Sequence, residues 1–237
     1  MLSMNKVKGF EDTIEWYNQN ASLYSSAAGK LAVNFAIKKF ISLLPPGAKV
    51  LDAGCGSGRD SSSLSKSGME VIGVDISEGL IRQASKNFPK IKFQLGDIRE
   101  LDFPNETFEG VWAQASLVHF ETLADAEKSI KEFSRVLKPG GILHIMVKEK
   151  VDDDRTKISI DKISNHDRFF IFFTKEEIEL FLKKNSLSLI SIQDRIPDPA
   201  KRKGTVWIWS LARKQKDLIE WTNGGKYNQG HKSPKKV

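Results

Sequence analysis

Val50-Leu51-Asp52-Ala53 runs into Gly54-Cys55-Gly56-Ser57-Gly58, an apolar stretch ending in an acid and then three glycines at alternate positions. Without a Cβ the backbone turns sharply and lets a ligand approach the main chain. Arg59 to Leu64 reads as the first turns of a helix. Such an N-terminus offers unpaired N–H groups and the positive end of a dipole. Together these features suit a nucleotide-type cofactor. A second acid, Asp75, ends the next apolar run 21 residues beyond Gly54. A carboxylate there can accept from both hydroxyls of a ribose; a helix N-terminal acid is the plainer reading. Dinucleotide fingerprints read G-x-G-x-x-G, whereas this loop reads G-x-G-x-G with Arg59 at the third fingerprint position. That disfavours NAD or FAD. His119 is the best general-base candidate, because an unperturbed imidazole titrates near neutrality. A hydrogen-bonded structural histidine is an equal reading. Cys55 reads as a small loop residue rather than a nucleophile.

The elements that would hold these residues alternate along the chain. Residues 11–26 read as a polar helical lead-in with Trp16, Tyr17 and Tyr24, and a second helix is expected over 29–44, ended by Pro45-Pro46-Gly47. Strands are expected at 49–53, 69–75, 91–95, 108–113 and 142–147, with helices at 57–67, 78–87 and 123–137. The strands are short apolar runs, as when helices cover both sheet faces. The alternation implies a parallel, doubly wound α/β sheet. Residues 150–167 are charged, lack a clear period and read as a loop. Thr174-Lys175-Glu176-Glu177 is a capping signature for a further helix. Strands at 187–193 and 205–212 then flank Ile196-Pro197-Asp198-Pro199 and Lys201-Arg202-Lys203, as in a hairpin.

The segment VLDAGCGSGRDS resembles motif I of class I S-adenosylmethionine-dependent methyltransferases. Asp75-Ile76-Ser77, Gly96-Asp97-Ile98, and Phe108 to Leu117 with the later Leu137-Lys138-Pro139-Gly140-Gly141 follow in that family's order and spacing. The resemblance covers roughly residues 45–150. It implies a Rossmann-like seven-stranded sheet of order 3-2-1-4-5-7-6 with the last strand antiparallel, in a single domain. The expected organisation is a helical lead-in over 1–44, the methyltransferase domain over 45–213, and a basic, disordered tail over 214–237.

The resemblance also implies roles. Asp75 would take the ribose hydroxyls, Ile76 the adenine face, Asp97 the exocyclic amine, and the Ile98 N–H a ring nitrogen. Ala53, Gly54, Cys55 and Gly56 would bring backbone to the methionine portion, with Asp52 ordering the loop or reaching the ammonium. Gln114 completes the expected cofactor set. Arg59 would hold the methionine carboxylate, or else form a surface ion pair. Gly58 is expected to pack helix against strand. Tyr17, His119 and Arg168 are the substrate-side candidates. Arg168 with Phe169-Phe170 is similar to an Arg-aromatic segment of related enzymes and could hold an anionic substrate or simply pack on the sheet. Tyr17 and Tyr24 would close over the cofactor or pack as ordinary helix residues. His144 reads as packed. Where relatives often carry Gly after the helix at 175–184, this chain has Asn185-Ser186.

Composition sets the remaining bounds. The 237 residues, 40% hydrophobic, suit one domain with a large core. A single cysteine leaves no intrachain disulfide or Cys-pair metal site and suggests a reducing, cytoplasmic setting. No metal-ligand cluster stands out. Met1 to Glu11 lacks a signal-peptide core, and no apolar run approaches a membrane span. The whole +7 charge arises from the last forty residues, which hold ten Lys/Arg and three acids. A neutral body with a basic tail supports nucleic-acid binding only weakly. Ala113-Gln114-Ala115-Ser116 is not the Asn/Asp-Pro-Pro-aromatic motif of DNA amine methylation. The leading expectation is a methyltransferase acting on a small molecule, similar to ubiquinone-biosynthesis-like and tellurite-resistance-like enzymes. The alternatives are an RNA or protein methyltransferase using the basic segment, and a non-catalytic cofactor-binding protein.

Overall fold

The computed structural model describes residues 9–28, 34–161, 166–198 and 204–216. Lys201–Lys203, the start of the expected second helix, His231 and the tail from residue 217 lie outside the described residues. Two helices lead in, α1 (Phe10–Ala28) and α2 (Asn34–Ile41). The chain then runs β1 (Lys49–Ala53), α3 (Arg59–Lys66), β2 (Glu70–Asp75), α4 (Glu78–Asn87), β3 (Lys92–Leu95) and β4 (Phe108–Gln114). A 3₁₀ turn (Leu117–His119) precedes α5 (Leu123–Val136) and β5 (Leu137–Lys148). The remainder is β6 (Thr156–Asp161), β7 (His166–Ile171), α6 (Lys175–Lys184), β8 (Leu187–Pro197) and β9 (Val206–Lys214).

Seven strands form one sheet in the order β3-β2-β1-β4-β5-β9-β8. The first five are parallel, and β9 enters antiparallel to β5 and pairs antiparallel with β8. This is the order expected from the sequence, with β8 and β9 as its sixth and seventh strands. Alternate residues supply opposite faces. Leu51, Ala53, Val111, Ala113, Leu143 and Ile145 join Ile130 and Phe133 of α5 and Phe181 of α6 on one side. Val50, Trp112, Ile142 and Leu211 meet Ile37 and Phe40 of α2 and Leu64 of α3 on the other.

Residues 150–167 are not a loop throughout. β6 and β7 form a separate antiparallel pair, with Ile158 opposite Phe169 and Ser159 opposite Arg168. In sequence, two isoleucines at alternate positions were hidden among charged neighbours. The second helix stops at Ile41, and residues 42–44 form a turn; Pro45-Pro46 disfavours helical geometry before it. At the end of α6, Ser186 takes the left-handed conformation (φ 56°) that glycine most often fills. The Ser134 hydroxyl donates to the Asn185 carbonyl at 2.7 Å and fixes that exit. The capping box at Thr174 forms as expected, with the Thr174 side chain and Glu177 exchanging bonds.

Candidate functional site

One cavity opens at the carboxyl ends of the parallel strands, under α1. Its first wall is the glycine loop after β1. Gly54 has φ 78°, and a Cβ there would stand 2.3 Å from the Ser116 Cβ. Only glycine fits between these two strand ends. The loop is tied to β2: Gly54 N and Cys55 N donate to the Val74 carbonyl at 2.8 and 3.0 Å. Gly56 N donates to one Asp75 oxygen at 2.8 Å, and Ser77 N to the other at 2.9 Å. Burial pushes the Asp75 carboxyl up, against the pull of these backbone donors. Gly58, the N-cap of α3, sits against Phe88 and Phe93 in the packing role expected of it.

Gly54, Gly56, Arg59, Asp75, Ile76, Asp97, Ile98 and Gln114 all line the cavity, as do Tyr17, His119 and Arg168. Asp52, Ala53 and Cys55 stand behind the loop, each less than a tenth exposed and off the wall. Asp52 accepts from the Ser61 hydroxyl at 2.5 Å. Its carboxyl is pushed up to about 8, first by burial and then by Asp60. Asp60 is shared between Arg59 (2.7 and 3.0 Å) and the Trp112 indole N–H (3.1 Å). Arg59 therefore reaches the cavity already paired with an acid. Asp97 is held by Arg99, at 2.6 Å for its closest contact, and Arg99 bridges on to Asp125 at 3.1 Å. The Arg99 guanidinium also lies 5.0 and 5.2 Å from the Phe10 and Phe120 ring centres. Sequence reasoning missed Arg99, although its place two residues after Asp97 is a usable signal.

The other side of the cavity is built from β4, β5, β7, β9 and α1. His119 Nδ1 lies 2.8 Å from the Phe169 carbonyl and must donate to it. Its Nε2 then accepts from the Tyr17 hydroxyl at 3.1 Å. The Tyr17 oxygen in turn accepts from Arg168. Gln114 is aimed by two neighbours: its Oε1 accepts from His144 Nε2 at 2.7 Å, and its Nε2 approaches the Met146 sulfur at 2.7 Å. His144 is fully buried, stacks on Trp112 at 3.8 Å, and is pushed down to about 3 by burial. It is the packed histidine expected, and it also positions a wall residue. Lys148, Phe170, Asp198 and Trp207 complete this end, with the Trp207 indole donating to Asp198 at 2.8 Å. None was singled out as a site residue except within the Arg-aromatic segment; a lysine ending the apolar strand Ile142–Val147 was the available clue for Lys148. Ser116 Oγ lines the cavity, is buried, and has no hydrogen-bond partner among the described residues. The preceding Ala115 holds φ 57°, a strained setting for a non-glycine residue.

Helix α1 covers the cavity through specific polar contacts. Asn18 Oδ1 accepts from the Ser77 hydroxyl (2.8 Å) and Gly79 N (3.1 Å). Thr13 Oγ1 accepts from Phe169 N at 3.2 Å. A Cβ on Gly79 would meet the Asn18 carbonyl at 2.3 Å, so α1 approaches α4 as closely as backbone allows. Among the described residues, no group of three or more His, Cys, Asp or Glu is placed to hold a metal, and no helix is long and apolar enough to cross a membrane.

Residues 50–141 match the family model described as "Methyltransferase domain". The chain is 37% identical over 120 residues to a Synechocystis 2-methyl-6-phytyl-1,4-hydroquinone methyltransferase, covering 49% of this chain and 37% of that protein. It is 32% identical over 146 residues to the Salmonella typhimurium malonyl-[acyl-carrier protein] O-methyltransferase, covering 60% of this chain and 54% of that protein. The matches thus span about a third to a half of those relatives. Among solved structures, the PH0226 protein of Pyrococcus horikoshii is 27% identical, with a TM-score of 0.59 over 71% of this chain and 82% of that one. The Burkholderia thailandensis 1,6-didemethyltoxoflavin-N1-methyltransferase, solved with bound 1,6-didemethyltoxoflavin and S-adenosylhomocysteine, superposes with a TM-score of 0.65 over 87% of each chain at 23% identity.

Proposed function

We propose, from the match of residues 50–141 to a methyltransferase-domain model and from the sheet order of class I enzymes, that this chain transfers a methyl group from S-adenosylmethionine to a small-molecule acceptor. One observation carries the reading. The glycine loop, Asp75-Ile76 and Asp97-Ile98 form a continuous wall across the ends of β1, β2 and β3, in the same cavity that His119, Tyr17, Phe170 and Trp207 line on its other side. The residues fit the cofactor. The Ser116 hydroxyl, buried without a partner beside Gly54, marks a polar position that a ligand would complete. Asp75 and Asp97 offer carboxylate oxygens to hydroxyl and amine donors, Ile76, Ile98 and Leu80 offer apolar flanks to a flat base, and the loop offers backbone.

When bound, the cofactor supplies an electrophilic methyl on a sulfonium. The protein's share is alignment and exclusion of water, for which α1 is placed. A base is needed only where the attacking atom must lose a proton. Tyr17 is then the contact group: its hydroxyl takes that proton as it passes its own to His119 Nε2, and the Arg168 donor stabilises the phenolic oxygen throughout. His119 acts through Tyr17, since both of its ring nitrogens are already engaged. The single cysteine fits a reducing, cytoplasmic setting.

The experiment is titration calorimetry with S-adenosylmethionine and S-adenosylhomocysteine, followed by incubation of the full chain with labelled methyl donor and the low-molecular-weight fraction of a cell extract. Saturable binding of both ligands and label in a small product are expected. Binding of neither ends the methyltransferase reading, and label in RNA or protein alone moves the acceptor to the macromolecular class.

A further inference from the structure

Arg99 stands just behind the cavity wall and ties three parts of its rim together. It lies in the turn after β3, two residues past Asp97. Three of its donors meet the Asp97 carboxylate: the backbone N at 2.8 Å, Nε at 2.9 and 3.1 Å, and one Nη at 2.6 Å. The other Nη donates at 3.1 Å to Asp125, in the first turn of α5. Asp125 is itself fixed by the Thr122 hydroxyl at 2.6 Å. With the in-plane hydrogens directed at two carboxylates, the faces of the guanidinium remain for aromatic rings. The Phe10 and Phe120 ring centres lie 5.0 and 5.2 Å from the guanidinium carbon and 5.7 Å from each other. Phe10 is the first residue of α1, and its N–H donates to Glu121 Oε1 at 3.2 Å. Phe10, Asp97 and Phe120 all line the cavity.

A carboxylate offers about four acceptor positions and no donor. The three Arg99 donors leave Asp97 room for one more, on the cavity side, where its side chain is 29% exposed. Held on three donors, the carboxylate does not turn to suit a different ligand. An N–H arriving there finds a matched acceptor, whereas an oxygen at the same point meets a fixed anion. The guanidinium that sets this carboxylate is also the platform on which Phe10 rests. Pairing at Asp97 and docking of the first turn of α1 therefore share one side chain, and each favours the other. We propose that Arg99 is a positioning residue with two linked tasks: it fixes Asp97 as the acceptor for the exocyclic amine of the cofactor's base, and it holds the first turn of α1 against the cavity. The identity of the amine rests on the cofactor reading. The latch rests only on Arg99, Asp97, Asp125, Phe10 and Phe120. Lysine cannot do the same work, because a point charge on a flexible stem neither forks across two carboxylates nor stacks on rings.

Two measurements on the full chain test this. The first titrates S-adenosylhomocysteine and S-inosylhomocysteine, in which the 6-amino donor of the base becomes a 6-oxo acceptor. The wild type should bind the adenosyl compound at least about tenfold more tightly. Arg99→Lys should cut that ratio to about threefold or less. Equal losses for the two ligands with the ratio kept, or a wild type without preference, overturn the proposal. The second follows amide exchange in residues 10–17 with and without S-adenosylhomocysteine. The ligand should slow exchange there by about tenfold in the wild type and by no more than about twofold in Arg99→Lys, with β1 and β4 alike in both. Equal protection in the two proteins overturns the coupling. Should Arg99→Lys fail to fold, Asp125→Asn removes one charge partner of the guanidinium and leaves Arg99 and Asp97 in place. It should move the ratio and the protection in the same direction by a smaller factor, and movement of neither overturns the proposal. Wild-type binding of neither ligand sinks the cofactor reading and the amine assignment with it. Unliganded exchange then decides the latch alone: faster exchange of residues 10–17 in the variant, at equal rates in β1, supports it, and equal rates throughout overturn it.

Discussion

Asp52 should make this protein less stable as the solution becomes more alkaline. Its carboxyl is buried behind the glycine loop, and its folded-state value of about 8 stands well above the ordinary 3.8. The native state thus keeps a proton that the unfolded chain has already released. A group raised in this way contributes stability in full below pH 3.8 and loses it as pH rises through about 8. Between pH 6.5 and 9 the loss from this one site is about 2 kcal/mol. The window is chosen to separate it from groups of the opposite sign. His144, depressed to about 3, and the lowered Glu109, Asp125 and Glu132 add stability at higher pH, and theirs is lost as pH falls below their unfolded values. Asp75, also raised by burial, acts in the same direction as Asp52. The assay is urea unfolding of the wild type and Asp52→Asn at half-unit steps from pH 6.5 to 9. Wild-type stability should fall across the window and the variant should fall by about 2 kcal/mol less. A flat wild-type profile, or parallel profiles for the two proteins, would refute the argument that Asp52 is a neutral acid in the native state.

Asp75→Asn should raise the calorimetric Kd for S-adenosylhomocysteine by roughly 10- to 100-fold, since it weakens charge-assisted bonds and the anchor for Gly56 N; an unchanged Kd would remove Asp75 from the cofactor wall. Gly54→Ala should destabilise the fold by about 2 kcal/mol or more through its clash with Ser116 and its positive φ, and Ser116→Gly should recover part of that loss in denaturant midpoints. Tyr17→Phe should lower kcat for a proton-bearing acceptor by about 100-fold or more while leaving the cofactor Kd within a few-fold; equal losses at all pH values with a weakened Kd would make Tyr17 a packing residue only. Truncation after Lys216 should leave cofactor affinity and the unfolding midpoint unchanged, and any RNA binding of the full chain should then disappear along with its salt dependence.

The parts of this site written in consecutive residues were legible in the sequence. Strand, glycine loop, helix and terminal acid are local patterns, so β1 to β3 and the residues that follow them could be read directly. Asp52 shows where such reading stops. Its type and position pointed to the ligand, but strand alternation sends its side chain toward Ser61 and Trp112 rather than into the cavity. The far side of the cavity was harder for a related reason. Lys148, Asp198 and Trp207 meet only because β9 returns antiparallel beside β5. Arg168 was visible as a residue, yet its partner Tyr17 lies 151 positions away. The β6–β7 pair escaped notice because its alternation is carried by few apolar residues.

The contacts of α1 bear on how the molecule breathes. Trp16, Tyr17 and Ala21 share a small cluster with Leu80, separate from the two cores that flank the sheet. The polar ties of Asn18 and Thr13 can each be exchanged for water. Apart from Phe10, which packs on the main core, little apolar surface ties the first helix to the sheet, so it is expected to open as a unit while the sheet stays folded. Its opening free energy, readable as amide exchange faster in residues 10–28 than in β1 and β4, would set how quickly any enclosed ligand can leave. Under the proposed function, the peeling of one helix would time the release of product.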